Sequence, residues 1–242
     1  MKIEYVGKCL LLEDSDERVL VIGDLHLGYE GAMRASGVMI PVKLYDKCIR
    51  DFDEIILRAG GFVNNIVILG DVKHEFGWIL DDEWKMIIKF IEYVKTKCNK
   101  LVIIEGNHDK VLFPILNKIG VVGVDYYLWK NVAFAHGDKK FDELYNEGVN
   151  YWILGHGHPA VTLNEGAKKE KYKCFLVGKY KEKGKRGVII VPSFFPLIEG
   201  TDARDFDMKF AWEFDFDKFE VYVVGEDLKA LDFGKLRDIK SY

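Results

Sequence analysis

Five short turns crowd histidines together with Asp and Asn, side chains that can bind a metal ion. In order they read Gly23-Asp24-Leu25-His26, Gly70-Asp71-Val72-Lys73-His74, Gly106-Asn107-His108-Asp109, His136-Gly137-Asp138 and Gly155-His156-Gly157-His158. All six histidines fall in them. Carboxylates and imidazoles crowded together are costly unless a counter-charge lies among them, and a divalent ion supplies one. Mixed Asp, Asn and His donors suit manganese, iron, cobalt, nickel or zinc better than calcium alone. No cysteine lies in these turns, so a four-thiolate zinc site is excluded. Taken singly, each turn is weak: Gly-Asp after a strand is ordinary turn chemistry, and His136 alone would read as a histidine at the edge of the core. Five turns in one context are not explained by packing.

That context is an apolar run before each turn. RVLVIGD (18–24), NNIVILGD (64–71) and KLVIIEGNHD (100–109) read as buried strands. Between them Pro41 opens a helix over 42–58, and a second helix covers 82–98. A short helix follows at 110–119. Strand ends on one edge of such a sheet converge on a crevice lined by loops. Beyond residue 125 the pattern turns β-rich. A hairpin is expected at 126–138, a helix near 139–147 and a strand at 151–159. Further strands are expected at 160–163, 173–177, 187–192, 209–215 and 219–225. A βαβ half followed by a β half predicts a second sheet packed on the first, in one domain spanning 1–242.

Composition sets the outer limits. The 242 residues are 49% hydrophobic and 31% charged, a balance that excludes a disordered or fibrous chain. No apolar run reaches the roughly 18 residues of a membrane helix. The opening MKIEYVGKCLLLEDSDERVL is no signal peptide, so a cytoplasmic protein is expected. Cys9, Cys48, Cys98 and Cys174 are too scattered for a metal knuckle and read as buried thiols. The net charge of −4 argues against a general polyanion binder. One segment departs from it. Residues 168–186 carry nine Lys or Arg against two Glu, with Tyr172, Phe175 and Tyr180 interleaved. That reads either as a basic hairpin that draws nucleic acid to the site or as a solvated, lysine-rich edge.

The ordered set Asp-x-His, Gly-Asp, Gly-Asn-His-Asp, His-Gly and Gly-His-x-His resembles the calcineurin-like metallophosphoesterases over residues 23–158. The resemblance implies an α/β fold, a four-layer α/β/β/α sandwich of two mixed sheets, with two divalent ions between them. Manganese comes first, with iron, nickel, cobalt or zinc as alternatives. Asp24, His26 and His158 would hold the first ion and Asn107, His136 and His156 the second, with Asp71 bridging both. His108 would be the non-ligand histidine that stabilises the transition state or protonates the leaving oxygen. Asp109 would orient His108 through a bond to its ring. His74 would touch substrate or help orient His108, and Ser193 is a weaker candidate near the site.

Protein serine/threonine phosphatases carry an Asp-Arg pair shortly after the Gly-Asp, and Val72-Lys73-His74 lacks it. The His74 spacing and Gly23-Asp-Leu-His-Leu-Gly-Tyr-Glu30 are similar to archaeal SbcD-related and DNA-ligase-associated phosphoesterases. A phosphodiesterase on nucleotides or nucleic acid is therefore expected. The alternatives are a phosphomonoesterase on a small metabolite and a non-catalytic binding module.

Overall fold

Residues 1–38, 44–74, 81–165, 168–182, 185–205 and 208–239 are described by a computed structural model of the chain. The chain opens as an antiparallel meander of β1 (Lys2–Val6), β2 (Cys9–Asp14) and β3 (Glu17–Ile22). After α1 (Tyr29–Ala35) and α2 (Leu44–Arg58) come β4 (Val63–Ile68), α3 (Asp81–Lys95), β5 (Cys98–Ile104), the single turn α4 (Phe113–Leu116) and β6 (Val122–Val124). These strands form a sheet in the order β1-β2-β3-β4-β5-β6, parallel from β3 onward. Leu44, Cys48, Phe52, Ile55 and Ile56 recur at helical spacing on α2, and all are buried. With Ile87, Phe90 and Ile91 of α3 they cover Leu20, Ile22, Ile66 and Ile68 on one face of the sheet.

The second sheet comprises β7 (Tyr126–Trp129), β8 (Val132–Ala135), β9 (Tyr151–Leu154), β10 (Pro159–Glu165), β11 (Lys168–Tyr180), β12 (Arg186–Ile190), β13 (Thr201–Asp202), β14 (Glu220–Val224) and β15 (Ala230–Lys235). Its order is β13-β10-β11-β12-β9-β8-β7, with β14 on β11 and β15 on β14. Side chains alternate across each strand. Phe134, Ile153, Phe175 and Ile189 therefore meet Val21, Val67, Leu69 and Val102 between the sheets. Their neighbours Trp152, Leu154, Cys174 and Val188 face outward. That outer face is covered by 3-10 turns at Asp142–Tyr145 and Phe216–Lys218 and by the segment 208–216. Two mixed sheets with helices are the expected α/β class.

Local expectations fared unevenly. The Pro41 helix start lies outside the described residues. No strand was expected before residue 18, whereas β1 and β2 complete an antiparallel edge, and β6, β13 and β15 were not expected either. The helix near 139–147 is only a 3-10 turn. Segment 209–215 is not a strand. Its alternating Met208, Phe210, Trp212, Phe214 and Phe216 fit any extended chain, but this one lies over the sheet face and takes no place in a ladder. The basic segment is the long arm of a hairpin, since β11 and β12 pair antiparallel up to Tyr180 and Arg186. It is the 13-residue β11 plus the start of β12, about 40 Å of strand.

All four cysteines are buried free thiols. No described helix is long and apolar enough to cross a membrane. Because each sheet face is covered by apolar side chains, folding should need no metal. Chelated protein should still unfold cooperatively, at a lower temperature than metal-loaded protein. A scanning calorimeter would check this, and loss of the transition on chelation would make the ions structural.

Candidate metal centre

The ends of β3, β4, β5, β8 and β9 all open on one crevice between the sheets, each delivering one of the five turns. The turns interlock through their backbones. His26 N donates to Asp71 O at 2.8 Å, and Gly155 N donates to His136 O at 2.9 Å. Gly106 is obligatory, because a Cβ there would lie 2.2 Å from the Asp71 nitrogen. His26, Asp71, His156 and His158 all have φ between 41° and 65°. Asp and His tolerate this left-handed region better than most residues, but it costs of order 1–3 kcal/mol each and persists only where the surroundings enforce it.

Two groups of donors result. Asp24, His26, Asp71 and His158 form one, and Asp71, His136 and His156 form the other. Asp71 belongs to both. In the first, His26 Nε2 lies 3.1 Å from His158 Nε2 and 3.8 Å from Asp71 Oδ2, and His158 Nε2 lies 3.4 Å from Asp24 Oδ2. In the second, His136 Nε2 lies 3.0 Å from both His156 Nδ1 and Asn107 Oδ1, and 3.5 Å from Asp71 Oδ2. Asn107 thus joins the second group.

The donor chemistry fits a cation. His136 Nδ1 lies 2.8 Å from the Leu69 carbonyl, which can only accept. In the neutral ring the proton therefore sits on Nδ1, and the Nε2 lone pair faces the Asn107 and Asp71 oxygens. Lone pairs aimed at one another call for a positive charge between them. Spacings near 3 Å are also those of adjacent ligands around an ion with bonds of about 2.1 Å.

Electrostatics without an ion show the strain. Asp24 is fully buried, which alone would raise its pKa, but His158, His136 and His26 hold it well below the usual carboxylate range. Burial pushes Asp71 up to about 7, with Asp24 and Asp109 adding to the effect against His136. Burial opposes charge on His136 as well, yet Asp24 and Asp71 raise it above an ordinary histidine. A raised carboxyl pKa stabilises the fold below its unfolded value of 3.8, and that contribution is lost as pH rises through about 7. Bound ions must displace this proton, so metal affinity should fall as pH drops below about 7, by about tenfold per unit for one proton. Titrations of metal-free protein at pH 6 and pH 8 would check it, and equal affinities would remove Asp71 from the ligand set.

His108 stands beside both groups, with Nε2 3.7 Å from Asp71 Oδ2. Its Nδ1 donates to the His74 carbonyl, and its backbone N–H donates to Asp71 Oδ1 at 3.0 Å. Burial lowers His108 to about 4. The expected bond from Asp109 to the His108 ring is not made. Asp109 is fully buried, and its carboxylate accepts from Val72 N at 3.0 Å, Lys73 N at 3.3 Å and Gly106 N at 3.2 Å. It ties the second turn to the third by accepting from amides of both. His74 orients His108 instead, through its backbone oxygen, which no reading of side chains could find. The His74 ring packs edge-on against Tyr29, with centroids 4.6 Å apart. The Ser193 hydroxyl is buried and bonds nothing among the described residues.

The basic segment is divided by the fold. Lys171 lies opposite Thr162, about 13 Å along β10 from His158. Tyr180 and Arg186 pair at the other end of the sandwich, beside the start of β9. There Asn131, Asn150, Lys179, Lys185 and Arg186 line a cavity of about 530 Å³. Phe175 and Tyr180 are buried in the cores.

A solved structure shares this arrangement of sheets. The nuclease MPE of Pseudomonas putida superposes with a TM-score of 0.57 at 16% identity, over 96% of this chain and 99% of that one. A protein of unknown function from Aquifex aeolicus matches with a TM-score of 0.39 at 18% identity, over 61% of this chain and 81% of its own. Zinc-bound Vps29 of Entamoeba histolytica matches with a TM-score of 0.35 at 13% identity, over 89% and 99%. At such identities the first likeness shows the fold alone. No curated protein matches by sequence. The family described as calcineurin-like phosphoesterase matches residues 17–227, which include every turn of the metal centre. The chain belongs to the calcineurin-like phosphoesterase family.

Proposed function

We propose that this protein is a two-metal phosphodiesterase acting on nucleotides or nucleic acid ends, of the SbcD-related and DNA-ligase-associated kind. The observation that carries the reading is the pair of donor groups sharing Asp71, with His108 beside them and its Nδ1 engaged elsewhere. Asp24, His26 and His158 would hold one ion and Asn107, His136 and His156 the other, with Asp71 shared between them. Manganese is the first choice among the ions this donor set accepts. When bound, the ions polarise the phosphoryl oxygens and lower the pKa of water.

The protein's own groups do the rest. The Nδ1 bond to His74 fixes the ring of His108 and leaves Nε2 as its working nitrogen. In the free protein that ring is neutral near pH 7. A negative phosphoester raises its pKa, so that Nε2–H can be given to the leaving oxygen. Asp109 keeps the turns of Asp71 and Asn107 in register.

A diester is favoured because nothing in Val72-Lys73-His74 matches the phosphate-gripping Arg of the phosphatases. The Pseudomonas putida protein of the same extent is a nuclease. Nucleic acid running along β10 and β11 would meet the exposed Lys171, Lys169 and Lys168, the nearest about 13 Å from His158, whereas Lys173 is tied down. A cytoplasmic location accords with such a substrate. Rates on bis(p-nitrophenyl) phosphate and p-nitrophenyl phosphate, with metal counted per chain, test the reading. Faster monoester hydrolysis would replace it with a phosphomonoesterase, and two bound ions without turnover would leave a binding module.

A further inference from the structure

Two partly buried lysines converge on the 192–196 turn. Lys173, on the inner reach of β11, donates from Nζ to the Ser193 carbonyl at 2.7 Å and to the Phe195 carbonyl. Lys8 Nζ donates to the Phe194 carbonyl at 2.8 Å and to Asp51 Oδ2 at 2.7 Å, and sits 4.6 Å from the centroid of the Phe194 ring. Three consecutive carbonyls of the 192–196 turn are thus held by two side-chain amines. Burial, with Lys8 adding to it, pushes Lys173 well below the usual lysine range.

The turn so held is the back wall of a metal ligand. Phe194 N donates to the Asp24 carbonyl at 2.9 Å. A Cβ on Gly23 would lie 2.2 Å from the Pro192 oxygen, so the two backbones are in direct contact. Asp24 also accepts from His156 N at 3.0 Å. Its position is therefore set from one side by the fifth turn and from the other by 192–196. The Phe195 ring adds a contact to Tyr29, at 5.7 Å between centroids. Buried donors left without partners are expensive, so the turn has little freedom while both amines are in place.

We infer that Lys173 is a positioning residue for the first metal ion, acting through the 192–196 turn on Asp24. This rests on the two-metal reading above. Lys173→Met keeps the length of the side chain and removes its donors. Supporting contacts of this kind typically cost about 10–100-fold in metal affinity. The loss should fall on the site of Asp24 and spare the site of His136 and His156.

The test is manganese binding to metal-free protein in a double-mutant cycle. In a His156→Ala background, where the first site remains, adding Lys173→Met should weaken binding at least tenfold. In a His158→Ala background, where the second remains, it should change nothing. Excess manganese should restore the turnover of the single Lys173→Met variant. Equal weakening in both backgrounds would show a merely structural residue, and no weakening in either would overturn the inference. Lys173→Gln, which retains one amide donor group, covers the case in which the Met variant does not fold, with a smaller loss expected in the same background only. Wild-type protein that takes up no manganese would overturn the two-metal reading itself, before any lysine is changed.

Discussion

Asp71→Ala should abolish turnover, by about 10³-fold or more, and lower metal content in both sites at once. Asp71 is the one residue common to the two donor groups. An ion stabilises transition-state charge by several kcal/mol, and each 1.36 kcal/mol is a factor of ten. The fold should not suffer in proportion. The carboxyl is 2% exposed and carries a pKa of about 7 because burial opposes its charge. Removing it relieves that cost while losing the bond from His108 N. Metal-free Asp71→Ala should therefore unfold cooperatively near the wild-type temperature. Metal analysis, turnover and melting of one preparation decide the matter. Two bound ions with near-normal turnover would remove Asp71 from its bridging place.

His108→Asn should keep both ions and lose about 10²–10⁴ in rate, the span typical of a lost general acid. Its Nδ1 is committed to the His74 carbonyl and it belongs to neither donor group, which separates it from the ligands beside it. The loss should depend on the leaving group. p-Nitrophenolate departs with little help, so bis(p-nitrophenyl) phosphate should slow least. An alkyl or ribose oxygen needs the proton, so a dinucleotide should slow most. Loss of an ion from the variant would make His108 a ligand. Equal slowing of both substrates with both ions retained would mean that it steadies the phosphoryl oxygens instead of donating a proton.

Much of this was legible in the chain because each turn is written in adjacent residues. An apolar run followed by Gly-Asp, Gly-Asn-His-Asp or Gly-His-Gly-His specifies a strand end and its side chains together. The same runs made the buried strands β3, β4, β5 and β9 plain, and spacing of three and four did so for α2. Patterns of period two were less safe. Segment 209–215 has the alternation of a strand, but alternation records only that one side of an extended chain is covered. Whether a ladder forms depends on a free edge elsewhere, and β15 found one where 209–215 did not.

The sequence by itself determined the donor types, their order and the family to which they belong. Only the tertiary structure decided how they meet. Asp71 and Asp24 come together from turns 47 residues apart, and Asp71 joins two groups because β4 lies between β3 and β5. Asp109 looked like a partner for its neighbour His108, yet its oxygens go to amides of Val72, Lys73 and Gly106. Backbone groups have no sequence signature, since every residue but proline offers the same N–H and C=O. The carbonyls of His74, Ser193, Phe194 and Phe195 were invisible for that reason. The basic run of 168–186 was visible as charge, but only the length of β11 shows that it is spread along a strand and not gathered at the metal centre.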